Sequence, residues 1–153
     1  MNRAVAAVFL AGALVATQGA CREDQMSPSV EAGIEWQLDS IIAGDSVISV
    51  SASLYHSTNR PTVRFIPDLG LSTHGDVGGY GGCNRFFGEY VVSDPSSVSV
   101  ISLGTTLMAC GDVRGRVERE FYLRLRQVVA YAEKSGRLVL ATEGDESLHF
   151  SSQ

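Results

Sequence analysis

Residues 78–90 read Gly78-Gly79-Tyr80-Gly81-Gly82-Cys83-Asn84-Arg85-Phe86-Phe87-Gly88-Glu89-Tyr90. Five glycines fall between positions 78 and 88. That density is a statement about the backbone: a positive φ, a bulge, or close approach of another chain segment. A phosphate cradle is a poor fit. From Gly79 the spacing runs to Gly81 and then to Asn84 instead of a third glycine, no Gly-Lys-Ser/Thr follows, and the next residues are strand-like. Arg85 to Val92 is aromatic and β-branched and predicts a strand.

Strand signals continue on both sides. Asp94-Pro95-Ser96-Ser97 is a turn and Val98 to Leu103 a strand. Upstream, Leu71 to Val77 follows the turn residues Asp68 and Gly70. Thr62-Val63-Arg64-Phe65 alternates after Pro61, with Pro67 expected to end it. Val47 to Leu54 puts Ile48, Val50, Ala52 and Leu54 on one face and serines on the other, strict period two. Arg137 to Thr142 and Ser147 to Ser151 flank Glu143-Gly144-Asp145 as a hairpin, with Leu138, Leu140, Leu148 and Phe150 pointing inward.

One helix is expected, over about residues 112–132. Asp112 serves as N-cap, and Val113, Val117, Phe121, Leu125 and Val128 recur at helical spacing. Arg114, Arg116, Arg119, Arg124 and Arg126 occupy the other faces. Arg114–Glu118, Arg116–Glu120 and Glu120–Arg124 are i,i+4 pairs that read as a solvated, ion-paired surface. About eight strands with one helix predict an α+β domain whose antiparallel sheet curls toward a barrel, the helix covering one face or one mouth.

The first residues read as an address. Arg3 precedes an uncharged apolar run from Ala4 to Ala16, which is short for a membrane span and suits a secretory signal. Gly19-Ala20-Cys21 resembles the end of a lipobox, although Gln18 stands where Leu is usual. The expectation is a signal peptide over 1–20, a lipidated Cys21 opening a polar tether to residue 34, and a folded domain over 35–153. Two or more acyl chains suffice for stable anchoring. Arg22, in place of an Asp, points to the outer membrane.

The 153 residues carry 12 Lys+Arg against 17 Asp+Glu, a net charge of −5; Lys134 is the single Lys. With 44% hydrophobic and 19% charged residues the composition is globular. An acidic chain is not expected to bind nucleic acid.

Gly79-x-x-Gly82-Cys83-Asn84-x-Phe86-x-Gly88-x-Tyr90 resembles the signature of the META domain, the HslJ-like family. Thr106-Leu107-Met108-Ala109-Cys110 is similar to its second cysteine motif. Glu118-x-x-Phe121 resembles its helix. Trp36-x-Leu38, Pro61 to Phe65, Leu138-x-Leu140 and Leu148-x-Phe150 resemble its strands. The resemblance implies an α+β domain of heat-shock-inducible, often lipid-anchored bacterial envelope proteins. Some members are linked to novobiocin resistance, and trypanosomatid members to virulence and secretion. It brings no enzymatic activity.

The residues themselves leave the chemistry open. A Cys nucleophile needs a base, and no spacing ties His56, His74 or His149 to Cys83 or Cys110. Zinc needs four ligands, and none of the recognised spacings is present, so no metal or cofactor is expected. Once Cys21 carries lipid, Cys83 and Cys110 pair most simply as a disulfide in an exported chain. Its loop of about 28 residues corresponds to roughly 3.5 kcal/mol in the chain-entropy model. Asn84 reads as a turn residue bonding local backbone. Trp36, Phe86, Phe87, Tyr90 and Phe121 read as core. Asp76 and Glu89 flank the glycine segment as a conceivable glycosidase-like pair. Three function classes follow: a non-catalytic lipoprotein supporting stress tolerance by binding or scaffolding, a small-ligand carrier, and an envelope hydrolase using a thiol or a carboxylate. The partners expected are the membrane, through the N-terminal lipid, and an envelope protein or small ligand.

Overall fold

The computed structural model describes residues 32–51, 55, 59–69, 71–111 and 113–153. The signal segment, Cys21, most of the tether, Ala52, Leu54, His56, Gly70 and Asp112 lie outside them.

Nine strands and one helix are described in the order β1 (Glu35–Ala43), β2 (Ser46–Ser49), β3 (Thr62–Asp68), β4 (Leu71–Tyr80), β5 (Arg85–Asp94), β6 (Ser97–Thr105), α1 (Val113–Leu125), β7 (Val128–Lys134), β8 (Arg137–Thr142) and β9 (Ser147–Ser152). All pairings are antiparallel. Eight strands form the path β6-β5-β4-β3-β1-β9-β8-β7, and β2 pairs with β1 alone. The two ends of the path approach each other without a ladder. Tyr131 N–H donates to the Ser96 carbonyl at 2.8 Å and the Ser97 hydroxyl to the Val129 carbonyl at 3.2 Å. The result is a nearly closed barrel, the α+β architecture expected.

Alternation places the core. Trp36, Leu38 and Ile41 on β1, Val63 and Phe65 on β3, Leu138 and Leu140 on β8, and Leu148 and Phe150 on β9 are all buried. Helix α1 adds Val117, Phe121 and Leu125. Phe121 meets Phe86 on β5 at 5.7 Å and Phe150 on β9 at 6.2 Å, so the helix closes one mouth between opposite walls. Truncating such a ring costs about 3–5 kcal/mol.

Four expectations need correction. The helix ends at Leu125, not near residue 132. Arg126-Gln127 turn out of it, and the β-branched pair Val128-Val129 enters β7, where ladder bonds to β8 replace helical ones. Ser135 (φ 52°) and Gly136 (φ 73°) are therefore a hairpin turn, with positive φ at both central positions. The strand from Val47 stops at Ser49. Pro67 does not end β3; it sits opposite Gly75, and the register shifts immediately after it. Phe87 is not core. On β5 it follows the buried Phe86, so alternation turns it outward, and it is 64% exposed.

Candidate functional site

The glycine segment divides between strand and loop. Gly79 lies in β4 opposite Phe86, and Gly88 in β5 opposite Val77. Between the strands, Gly81 to Asn84 make a tight loop in which Gly81 N–H donates to the Asn84 carbonyl at 2.7 Å. Gly82 has φ +104°, a conformation L side chains rarely adopt. A Cβ on Gly81 would collide with the Tyr122 hydroxyl and the Glu118 carboxylate.

Those two side chains come from α1, at i and i+4, and fill the hollow of the loop. Glu118 Oε2 accepts the N–H groups of Cys83 at 3.0 Å and Asn84 at 2.5 Å. Successive backbone N–H groups pointing at one anion form a nest. Here the chain's own carboxylate occupies it, 8% exposed. Tyr122 donates its hydroxyl to the Asn84 carbonyl at 2.8 Å. Burial, reinforced by the Glu118 charge, pushes the Tyr122 phenol well above its ordinary value of 10.

Asn84 reaches far from its own turn. Its Nδ2 donates to Glu118 Oε1 at 2.8 Å and to the Met108 carbonyl at 3.1 Å. Its Oδ1 accepts from Met108 N–H at 2.6 Å and from the Thr106 hydroxyl at 3.0 Å. The expectation of a local turn bond is thus wrong. The amide's two-sided donor and acceptor pattern joins the Thr106–Met108 segment to the helix. The Cys83–Cys110 disulfide, Cα–Cα 6.2 Å, fastens the same segment, with Ala109 exposed beside it. Phe86 and Tyr90 stay in the core, Tyr90 edge-on to Phe65 at 5.1 Å.

Two Arg-rich-helix expectations also change. Glu118 turns inward to the loop. Arg124 is buried at 4% exposure and binds Glu120 at 2.6 Å, Glu146 at 3.0 Å and the Ile42 carbonyl at 3.3 Å. Neither belongs to a solvated face.

The chemical candidates separate in space. Cys83 and Cys110 are joined in the disulfide. His74 bonds Thr73 on β4, and His149 bonds Ser147 on β9. Among the described residues no cluster could hold a metal ion. Asp76 and Glu89 do come together, as directly paired positions of β4 and β5, exposed on the outer wall. That wall also carries Phe87 and Ile66 (49% exposed), bordered by grooves of about 410 Å³ and 520 Å³. The sequence signal for Phe87 was its parity with Phe86 on a strand whose inner face is already apolar.

A META domain family model matches residues 29–153, taking in both cysteine motifs, the barrel and the helix. The chain belongs to the META domain family. An NMR structure of a protein from Burkholderia xenovorans is similar to it, with TM-score 0.63 and 21% identity over 80% of this chain and 83% of that one. A second NMR structure has TM-score 0.52 and 18% identity over 77% and 88%. At such identities the likeness speaks for the fold of the META domain. No curated protein matches the sequence.

Proposed function

We propose that this META domain is a non-catalytic envelope lipoprotein that supports stress tolerance by docking to a protein partner. The observation that carries the reading is the outer wall of β3–β5, where Phe87 and Ile66 stand exposed on a barrel whose interior is occupied by its own side chains. Trp36, Phe65, Tyr90, Phe121 and Phe150 fill the space a ligand carrier would keep open, which favours docking over carriage. The anion nest of the glycine loop is taken by Glu118, which favours a structural role for that loop. The Arg3-led apolar run and Gly19-Ala20-Cys21 support export, removal of residues 1–20 and lipid on Cys21, and Arg22 supports the outer membrane. Removal of Arg3 takes the net charge from −5 to −6, which speaks against nucleic acid as a partner.

A second reading, a carboxylate hydrolase, is favoured by the register of Asp76 with Glu89. Deleting the gene and measuring survival after heat shock separates the two. Docking expects the full-length Asp76→Asn chain to restore survival and Phe87→Ser to fail. Restoration by Phe87→Ser with failure of Asp76→Asn makes the wall an active site. Mass spectrometry of the mature N-terminus tests the anchor: a diacylated Cys21 is expected, and an unmodified residue or an intact Met1 overturns it.

A further inference from the structure

The partner of this wall is written into its charge order. Along β5 the outward residues are Arg85, Phe87 and Glu89, all exposed. Alternate residues stand about 6.8 Å apart, so a cation and an anion lie about equally far from the central ring on opposite sides. On the neighbouring strands only the acidic end gains a second charge, Asp76. On β4, Tyr80 faces Arg85, Gly78 faces Phe87, and Asp76 faces Glu89. On β6, Gly104 faces Phe87 and Ser102 faces Glu89. The β5 row thus has a basic end, an apolar middle and an acidic end, while on β3 Arg64, ion-paired to Glu35, stands opposite Gly78 and Ile66 stands opposite Asp76. Among the described residues none of Arg85, Asp76 and Glu89 is held in an ion pair.

The apolar middle has relief as well as charge. The Phe87 ring leans over Gly104, where an added Cβ would stand 2.8 Å from ring atoms. On its other side Gly78 carries no side chain, and the bordering grooves lie open there. Phe87 is a projecting ring next to a vacant strip.

We propose that this wall binds a second copy of the chain through a two-fold axis perpendicular to β5 at Phe87. The inference rests on the reading of the wall as a docking surface and names its partner. The axis reverses β5, so Arg85 of each copy meets Glu89 of the other, while Asp76 faces the Tyr80 hydroxyl. Phe87 stands on the axis, so the two rings meet each other on the Gly104 side and Gly78 faces Gly78. Two sheets packed face to face lie about 10 Å apart, so the two rings lie side by side, not end to end. An isologous contact needs one self-complementary patch, and a row ordered basic–apolar–acidic is self-complementary under this rotation. An anionic membrane or a polyanion does not fit the same row, because Asp76 and Glu89 occupy one end of it.

Charge reversal tests the axis itself. Two differently tagged full-length chains are co-expressed in the native envelope and co-purified in detergent. Wild type is expected to carry its differently tagged copy along. Arg85→Glu paired with itself, and Glu89→Arg paired with itself, present like charges and are expected to lose about tenfold in recovery. Arg85→Glu co-expressed with Glu89→Arg is expected to restore recovery, because each copy then meets opposite charge at both ends. Thermal melts of each variant verify that these exposed substitutions leave the fold intact. Absence of wild-type recovery, or failure of the mixed pair to exceed both self-pairs, overturns the second-copy assignment. Survival of the Phe87→Ser strain then separates the two levels. If Phe87→Ser fails to protect, the wall docks a different protein and only the second-copy assignment falls. If it protects like wild type, the docking reading falls with it.

Discussion

Asn84 and Glu118, 34 residues apart in sequence, meet through both backbone and side chain: Asn84 N–H to Oε2 at 2.5 Å and Nδ2 to Oε1 at 2.8 Å. The contact fixes the helix against the glycine loop, and each residue presents what the other lacks. A carboxylate offers only acceptors, and Cys83 N–H, Asn84 N–H and Asn84 Nδ2 supply only donors. Glu118→Gln keeps the shape but puts an NH₂ against those donors at one of the two oxygens. We expect it to lower stability by about 3 kcal/mol, the scale of lost charge-assisted bonds plus a buried donor without partner. Chemical denaturation measures it; a loss under about 1 kcal/mol would mean that the nest does not depend on the charge.

Gly82 answers to backbone conformation and Asn84 to a network of hydrogen bonds, and the second is expected to matter more for stability. Gly82→Ala places a Cβ at φ +104° and 3.0 Å from the Tyr55 ring, for a cost of more than about 1 kcal/mol. Asn84→Ala removes five side-chain bonds, a long one to Cys83 Sγ among them, and leaves Met108 N–H and Glu118 Oε1 short of partners, for a cost of about 3 kcal/mol. Thermal melts of the two variants side by side check the order. An Asn84→Ala protein that melts above Gly82→Ala restores the local-turn reading.

The Cys83–Cys110 bond closes a loop with a sequence separation of 27. The chain-entropy model assigns about 3.5 kcal/mol to that size. Because Asn84 binds the Thr106–Met108 segment independently, the Cys83→Ser/Cys110→Ser protein is expected to fold and to be less stable by about that amount. Urea midpoints with and without reductant should differ for wild type and coincide for the double variant. Quantitative thiol labelling of both cysteines in denatured, unreduced wild type would remove the basis of the prediction.

The barrel was legible because period two is a local signal. Thr62 to Phe65, Arg85 to Val92 and the Leu138/Leu140 and Leu148/Phe150 pairs each report their own inner face. The boundary between α1 and β7 was not legible, because Val128 satisfies helical spacing from Leu125 and strand alternation equally well. Only the unpaired edge of β8 decides between them, and that is a tertiary fact. Asn84 misled for a related reason: its amide suits a local turn, and the partner that outcompetes that turn arrives from residues 106–118. The glycine loop sits between these cases. Its demand for an unusual backbone is written in composition, while its occupant, Glu118, looks in sequence like half of a surface ion pair.

Arg124 is the cation that misled most. With Glu120, Glu146 and the Ile42 carbonyl it ties the last turn of α1 to β1 and to the β8–β9 hairpin. Its two carboxylate partners are each about one-third exposed, which limits the energy that burial adds. Arg124→Ala is expected to cost about 2 kcal/mol. A solvated i,i+4 pair would cost about 0.5 kcal/mol or less, so equilibrium unfolding distinguishes the two directly.

Alkaline pH gives the last prediction its sign. The folded protein holds the Tyr122 phenol above its ordinary value of 10, first through burial and then through the Glu118 charge and hydrogen bond. A folded-state pKa above the unfolded one means that the folded chain retains a proton which the unfolded chain gives up. The stability linked to Tyr122 is therefore complete below pH 10 and is lost progressively as pH rises above 10. Burial also raises the Tyr90 and Tyr131 phenols, so part of the decline belongs to them. Tyr122→Phe should cost about 1 kcal/mol at neutral pH, by losing the bond to the Asn84 carbonyl. Above pH 10 its stability should then fall less steeply than wild type, and the two curves should converge. Urea denaturation at pH values on both sides of 10 measures both slopes. Parallel decline of wild type and Tyr122→Phe would mean that the phenol proton is not what the folded loop protects.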